Sequence, residues 1–148
     1  MKSIYLAGLI STQKPESLSW RIEAESKLKD IANILSPMRG KENLVKTSKD
    51  GGITDPSLTP KDIIYRDFGD VKEADVILVH LDNFGSERPL TGTIYELGWA
   101  WLLQKPVVAI ASEDNKLMRT HPFVYDTVAH YCATLDDAID VIRKHYCR

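Results

Sequence analysis

One acidic residue stands out by its surroundings. In the stretch 89–104, PLTGTIYELGWAWLLQ, Glu96 is the one residue with a formal charge. A carboxylate in so apolar a segment costs free energy unless it is paired or has a chemical task. Near the start of a helix, where the dipole favours an anion, it is suited to act as a covalent nucleophile. The alternative is a structural glutamate that binds a neighbouring backbone group or an arginine.

Two further residues are candidates for the same chemistry. Asp67 lies in IIYRDFGDVKEAD, just before the most hydrophobic segment of the chain. Several other acids surround it, and most of them are expected to be solvated helix charges: Asp62, Asp70, Glu73 and Asp75. Tyr5 lies inside an apolar run, from which its hydroxyl could reach a crevice, although core packing is the more common role of a strand tyrosine.

The remaining chemistry-bearing residues form no recognisable motif. His80 lies in a hydrophobic run and is expected in the core, His145 belongs to the last predicted helix, and His121, in RTHPF, is placed to meet a ligand. The glycines form neither a dinucleotide-binding fingerprint nor a phosphate-binding loop. No serine nucleophile elbow and no zinc-ligand spacing occur. We therefore expect no metal and no cofactor.

Alternating strands and helices must position these residues. Apolar runs predict strands at 3–9, 34–35, 74–81, 106–111 and 131–133. Helical spacing predicts helices at 17–34, 60–73, 92–104 and 135–145, with a short helix at 122–128 in an otherwise irregular stretch 112–129. The polar segment 38–60 is predicted to be an irregular loop, which at that length is usually either functional or disordered.

The alternation predicts a single α/β domain over residues 1–148. Right-handed crossovers between parallel strands place helices on both faces of the sheet, which gives a three-layer sandwich. Five strands fit the flavodoxin-like order 2-1-3-4-5, in which ligands bind at the carboxyl ends of the first and third strands. Loops 8–17 and 82–96 would therefore border the site.

Composition excludes several classes of partner. The chain has 19 Lys+Arg against 21 Asp+Glu, a net charge of −2, whereas proteins that bind nucleic acid polymers are usually strongly basic. No run approaches the ~20 apolar residues of a membrane span. The apolar start lacks a signal-peptide cleavage pattern, and two cysteines are too few for a disulfide framework. We expect a cytoplasmic protein that binds small molecules.

Four segments together resemble the nucleoside 2-deoxyribosyltransferase family. They are IYLAG, SPMRGKE, RDFGDVKEADVILVHL and GTIYELGWA, in this order, and the likeness runs from about residue 3 to 111. The family's flavodoxin-like fold agrees with the fold predicted from periodicity.

The resemblance implies transfer of 2-deoxyribose between nucleobases. Glu96 matches the nucleophile that attacks the anomeric carbon and forms a glycosyl ester. Asp67 matches the acid that contacts the base and helps to protonate it, and Tyr5 matches the tyrosine that orients the nucleophile. This is a retaining double displacement. Four residues at the two loops are expected to bind substrate: Gly8, Leu90, Gly92 and Thr93.

The chain departs from the family pattern in two places. Leu90 stands six positions before the nucleophile, where many members have an acid that helps to hold the base or sugar. Family members also take residues from a neighbouring subunit, commonly an Asn followed by Met. Asn115 and Met118 are candidates at an unusual spacing, and His121 is a possible substitute. The partners implied are deoxynucleosides, free nucleobases and a second copy of the chain, because the apolar helix 92–104 favours an oligomer.

Two other functions remain open. Deoxynucleoside 5′-monophosphate N-glycosidases look like the same family and would also use Glu96. Their phosphate needs donors near the crevice, for which the candidates are Ser11, Thr12, Arg21, Thr91 and Thr93. The absence of an acid at Leu90 would favour a phosphate. A non-catalytic nucleotide-binding module is the third possibility, since a fold does not fix a function.

Overall fold

A five-stranded parallel sheet forms the centre of the molecule. The computed structural model describes residues 1–38, 45–46, 53–54 and 58–148. The five strands of the sheet are β1 (Lys2–Gly8), β2 (Ala32–Leu35), β5 (Val76–His80), β6 (Val107–Ile110) and β7 (His130–Cys132). Two short strands between β2 and β5, β3 (Val45–Lys46) and β4 (Ile53–Thr54), form a separate pair. The order in the sheet is β2-β1-β5-β6-β7, which confirms the predicted 2-1-3-4-5 arrangement.

Helices cover both faces of this sheet. They are α1 (Glu16–Leu28), α2 (Pro60–Glu73), α3 (Thr91–Leu102), α4 (Lys116–Thr120), α5 (Pro122–Thr127) and α6 (Leu135–His145). Side chains of β1 alternate between two hydrophobic clusters, because neighbouring residues of a strand point to opposite faces. Ile4 and Leu6 pack with α1 and α6, whereas Tyr5 and Ala7 pack with α2 and α3.

The centre of the sheet fixes where a ligand can bind. β1 and β5 are neighbours, with Gly8 beside His80 at their carboxyl ends. The chain leaves β1 towards α1 on one face and leaves β5 towards α3 on the other, so the loops diverge and open a crevice. His80 is buried, and its Nδ1 accepts a hydrogen bond from the Asp82 amide at 3.3 Å. Burial lowers the pKa of His80 to about 4, so this core imidazole is neutral at neutral pH.

The structure differs from the sequence-based expectations at the junction of α1 and β2 and in the stretch 112–129. The helix predicted for 17–34 ends at Leu28, and the second strand begins at Ala32 rather than at residue 34. Pairing of Lys2 with Ala32 in the parallel ladder takes precedence over the helical spacing of the apolar residues. The stretch 112–129 contains α4 in addition to α5, because the side chain of Asn115 caps α4.

The predicted irregular loop 38–60 contains regular structure. β3 and β4 form an antiparallel pair, with Val45 opposite Thr54. The loop's other residues, apart from 38 and 58–60, lie outside the described residues. No helix in the described part of the chain has both the length and the apolar character needed to cross a membrane.

Gly8 cannot carry a side chain without strain. Its φ is +153°, and an added Cβ would lie 3.1 Å from the carbonyl oxygen of His80 and 3.3 Å from the Trp20 ring. Gly8→Ala should therefore lower the free energy of unfolding by about 1–3 kcal/mol. Gly69→Ala is the matched control, since a Cβ there meets nothing within 4 Å in the middle of α2. It should stabilise by up to about 1 kcal/mol. Urea unfolding measures both, and equal midpoints for Gly8→Ala and the native chain would contradict the strain.

Candidate active site

A cavity of about 250 Å³ opens at the carboxyl edge of the sheet, between the loop after β1, helix α2 and the start of α3. We call it the Glu96 cavity. Six of the residues predicted for the site line it: Gly8, Asp67, Leu90, Gly92, Thr93 and Glu96. Residues that are far apart in sequence therefore meet in one place, as the sheet order requires.

Glu96 lies on the face of α3 that is turned into the molecule. Its side chain is 8% exposed, and Thr93, Leu97 and Ala100 are buried on the same helix. These positions recur every three or four residues, which is the period of a helix face. The carboxylate therefore reaches the cavity from a helix that is anchored to the sheet.

Tyr5 lies directly beside this carboxylate. The phenol is fully buried, and its hydroxyl donates a hydrogen bond to Oε2 of Glu96. Burial raises the pKa of Tyr5 well above its usual value, and the charges of Glu96 and Asp67 raise it further. The phenol therefore stays protonated and remains a donor. The phenol thus binds Oε2 of Glu96, a residue that also lines the Glu96 cavity.

Asp67 faces the same cavity from α2. A capping box fixes the start of this helix: Thr59 accepts from the Asp62 amide, and the Asp62 carboxylate accepts from the Thr59 amide at 2.9 Å. The half-buried Asp67 thus faces the cavity with Glu96, on a separate helix. Two carboxyl groups around one small cavity can divide the roles of nucleophile and proton donor.

Arg21 has a different position from the one expected of a phosphate ligand. It is 3% exposed, and its guanidinium donates to the carbonyl oxygens of Gly8 at 2.8 Å, Leu9 at 3.1 Å and Ser17 at 2.6 Å. Ser11 is also fully buried, and its amide donates to the Ser17 hydroxyl. The Ser11 hydroxyl accepts from the Gln13 amide at 3.2 Å, so both side chains hold the loop after β1. Nothing in the sequence shows that Arg21 would bind these carbonyl groups while Lys27, the other basic residue of α1, would be exposed to form ion pairs.

Asn115 and Met118 line a second, adjoining cavity of about 660 Å³, the Asn115 cavity. The two cavities share Arg88, Pro89 and Leu90. The Asn115 amide group donates to an Asp82 carboxylate oxygen at 2.8 Å, and its carbonyl oxygen accepts from the Met118 amide. Within one chain, these residues therefore lie near the Glu96 cavity but outside it.

His121 lines neither cavity. It is exposed, and its Nδ1 accepts a hydrogen bond from the Phe123 amide at 3.3 Å, which caps α5. Among the described residues, no group of three or more His, Cys, Asp and Glu side chains is arranged to hold a metal ion.

The sequence matches one family model over most of its length. The model describes nucleoside 2-deoxyribosyltransferases and covers residues 4–138. A comparison with curated proteins yields no match.

Solved structures with the same fold include two deoxyribosyltransferases and one N-glycosidase. The 2-deoxyribosyltransferase from Leishmania mexicana has a TM-score of 0.71 and 16% identity, with 99% of each chain covered. The 2-deoxyribosyltransferase from Bacillus psychrosaccharolyticus has a TM-score of 0.65 and 24% identity, with 93% of this chain and 90% of that one covered. A CMP N-glycosidase from Clostridium botulinum has a TM-score of 0.61 and 15% identity, with 96% of this chain and 98% of that one covered. These TM-scores establish a shared fold.

The hydrogen bond between Tyr5 and Glu96 can be measured without an activity assay. Tyr5→Phe removes the donor, and a hydrogen bond to a charged group is worth about 1.5–3 kcal/mol. In a double-mutant cycle of unfolding free energies, Tyr5→Phe and Glu96→Gln should show a coupling of that order. Tyr131→Phe is the control, because the Tyr131 hydroxyl donates to the Met118 carbonyl instead. That change should be additive with Glu96→Gln. A coupling for Tyr5 as small as for Tyr131 would contradict the interaction.

Proposed function

The chain belongs to the nucleoside 2-deoxyribosyltransferase family, and we propose that it exchanges the nucleobase of 2′-deoxyribonucleosides through a covalent deoxyribosyl ester on Glu96. The observation that carries this proposal is the buried Tyr5–Glu96 pair at a cavity that Asp67 also lines. A buried carboxylate with one oxygen held by a neutral phenol is suited to nucleophilic attack.

The proposed reaction has two displacements. A Glu96 oxygen attacks the anomeric carbon, the bond from carbon to base nitrogen breaks, and the base leaves with a proton from the carboxyl group of Asp67. A second base then attacks the same carbon and releases the Glu96 carboxylate, while the Asp67 carboxylate accepts the proton of the incoming base. Two inversions give net retention. Water as acceptor gives hydrolysis instead.

Both cysteines are free thiols, which fits the proposed location of the protein in the reducing cytoplasm.

Recognition of the base involves residues around the shared wall of the two cavities. Leu90 borders both cavities and offers an apolar surface in place of an acid. Asn115 and Met118 are candidates to contact a base bound in the site of a neighbouring subunit, with His121 as a possible substitute. Gly8, Gly92 and Thr93 would contact the sugar side, because they line the Glu96 cavity itself.

A second function is favoured by one specific observation. Arg88 lines both cavities, and its Nη1 donates to the Ile10 carbonyl at 2.8 Å. A cation at this position, with Thr91 and Thr93 in the same cavity wall, is suited to a 5′-phosphate. The alternative is therefore a deoxynucleoside 5′-monophosphate N-glycosidase that uses Glu96 in the same way. A non-catalytic module with this fold would bind nucleotide without turnover.

One assay separates these functions. The protein is incubated with a 2′-deoxynucleoside and a second free base, and in parallel with a 2′-deoxynucleoside 5′-monophosphate, and the products are separated by chromatography. A new deoxynucleoside supports exchange, whereas cleavage of the monophosphate alone supports the hydrolase. Binding without any product supports the module.

Variants assign the reaction to the site. Glu96→Ala should lower the exchange rate by at least about 10³-fold, because the nucleophile is lost. Glu25→Ala, which removes an exposed acid on α1, should leave the rate unchanged. Exchange at the native rate by folded Glu96→Ala would contradict the assignment of the nucleophile.

We also propose that the enzyme is a homo-oligomer whose contact includes the groove between α3 and α5. This groove has a volume of about 390 Å³, and Ile94, Trp101 and Phe123 line it. Trp101 is 64% exposed and Phe123 is 84% exposed, which is unusual for side chains of this size. A second copy would cover them.

Light scattering tests the assembly. The native protein should have a mass that is a multiple of the 16.7 kDa of one chain. Phe123→Glu should shift it towards the monomer, because a charge in an apolar contact is costly. Ile22→Lys, at a 71% exposed position on α1 across the sheet, should not. A native mass of one chain would contradict the proposal.

A further inference from the structure

We propose that Arg21 is a positioning residue of this site, which holds the wall of the Glu96 cavity and supplies a fixed positive charge that favours the carboxylate form of Glu96. The inference rests on the proposed function, since it assigns Arg21 a role in that reaction. Arg21 is not a ligand of the substrate in this account, because it is buried and its two terminal nitrogens donate to backbone carbonyl oxygens.

The hydrogen bonds of Arg21 shape the cavity. Two guanidinium nitrogens donate to three carbonyl oxygens, and two of these belong to Gly8 and Leu9. Both residues line the Glu96 cavity. The guanidinium carbon also lies 5.0 Å from the centre of the Trp20 ring, and Trp20 packs edge-on against His80. The side chain therefore ties α1 to the end of β1, at the point where the loop begins to border the cavity.

The charge of Arg21 is not neutralised by a contact. The carbonyl oxygens that accept from its two terminal nitrogens carry no net charge, its buried Nε has no hydrogen-bond partner among the described residues, and no carboxylate of those residues forms an ion pair with Arg21. At 3% exposure, solvent screens this cation poorly. Its field therefore acts on the nearest groups that can carry a negative charge.

The groups concerned include the carboxylates of Glu96 and Asp67, which the proposed reaction uses. Burial lowers the pKa of Arg21 to about 10, while the negative charges of Glu96 and Asp67 act to raise it. Arg21 is therefore cationic at neutral pH. Because the attraction is mutual, the same interaction favours the anionic form of Glu96.

The groups that surround Glu96 come from several elements. Tyr5 on β1 donates a hydrogen bond, Asp67 on α2 adds a carboxyl group, and Arg88 in the loop before α3 adds a second cation at the cavity wall. Arg21 differs from Arg88 because it is buried. Its charge is present before any substrate binds, and it offsets part of the cost of burying the nucleophile.

The test uses three variants of the full chain. Arg21→Gln removes the charge and keeps a donor, Arg21→Lys keeps the charge and loses the forked geometry, and Lys29→Gln removes an exposed cation near the end of the same helix. The pH dependence of kcat/KM for base exchange is measured for each. NMR titration of the Glu96 side-chain carboxyl, assigned by its loss in Glu96→Gln, gives a readout that needs no turnover.

The variants should separate the effect of the Arg21 charge from the effect of its hydrogen-bond geometry. In Arg21→Gln the Glu96 midpoint and the acidic limb of the pH profile should both rise by about 0.5–1 pH unit, less than the ~1–3 units of a directly paired carboxylate. Arg21→Lys should keep the native midpoint while kcat/KM falls by about tenfold, because hydrogen bonds to the cavity wall are lost. Lys29→Gln should match the native protein in both measurements.

An unchanged Glu96 midpoint in folded Arg21→Gln would overturn the inference, as would native kcat/KM in Arg21→Lys. If Arg21→Gln does not fold, Arg21→Lys decides: a midpoint displaced from the native one would overturn the charge role. A native protein that shows neither exchange nor hydrolysis would contradict the proposed function instead. The NMR titration would then still decide whether Arg21 sets the ionisation of Glu96.

Discussion

The interaction on which the site depends is the hydrogen bond from Tyr5 to the buried carboxylate of Glu96. A carboxylate at 8% exposure on an apolar helix is stable only if the fold supplies a donor. Tyr5 remains a donor because burial, which makes a carboxylate costly in free energy, also raises the pKa of the phenol and keeps it protonated. One strand side chain thus makes a charged group tolerable inside a hydrophobic cluster.

The parallel sheet explains why these two residues meet. β1 and β5 are hydrogen-bonded neighbours, so α3, which follows β5, packs over the face of β1 that carries Tyr5. The opposite face of β1 carries Ile4 and Leu6, against α1 and α6. Gly8 then allows the strand to end close to His80, and the loop after it turns into the cavity wall. The positions of Glu96, of its donor Tyr5 and of the cavity wall are therefore consequences of one strand order.

Much of this was predictable from the sequence because it follows from hydrophobic periodicity. The unbroken apolar runs predicted the central strands, and a charge inside an apolar helix drew attention to Glu96. Periodicity was less informative at the end of α1, where the spacing of apolar residues fits a longer helix as well as a helix followed by a strand. Leu28 and Ile31 fit a helix, but the ladder with β1 takes the chain into a strand at Ala32.

The roles of several polar residues depend on tertiary contacts and could not be read from their types. Arg21 looks like any helix arginine until its guanidinium is seen on the carbonyls of Gly8 and Leu9. Asn115 was expected at a substrate, and in one chain it holds Asp82 and caps α4. His121 caps α5 away from both cavities. Within one chain, neither Asn115 nor His121 lines the Glu96 cavity.

The most direct test of the account is to trap the ester on Glu96. The protein is mixed with a 2′-deoxynucleoside in the absence of an acceptor base, quenched rapidly in acid, and examined by intact-protein mass spectrometry with peptide mapping. The account predicts a mass increase of one deoxyribosyl group, located on Glu96 and absent from Glu96→Gln. Release of the base without an adduct, or an adduct on another residue, would contradict it.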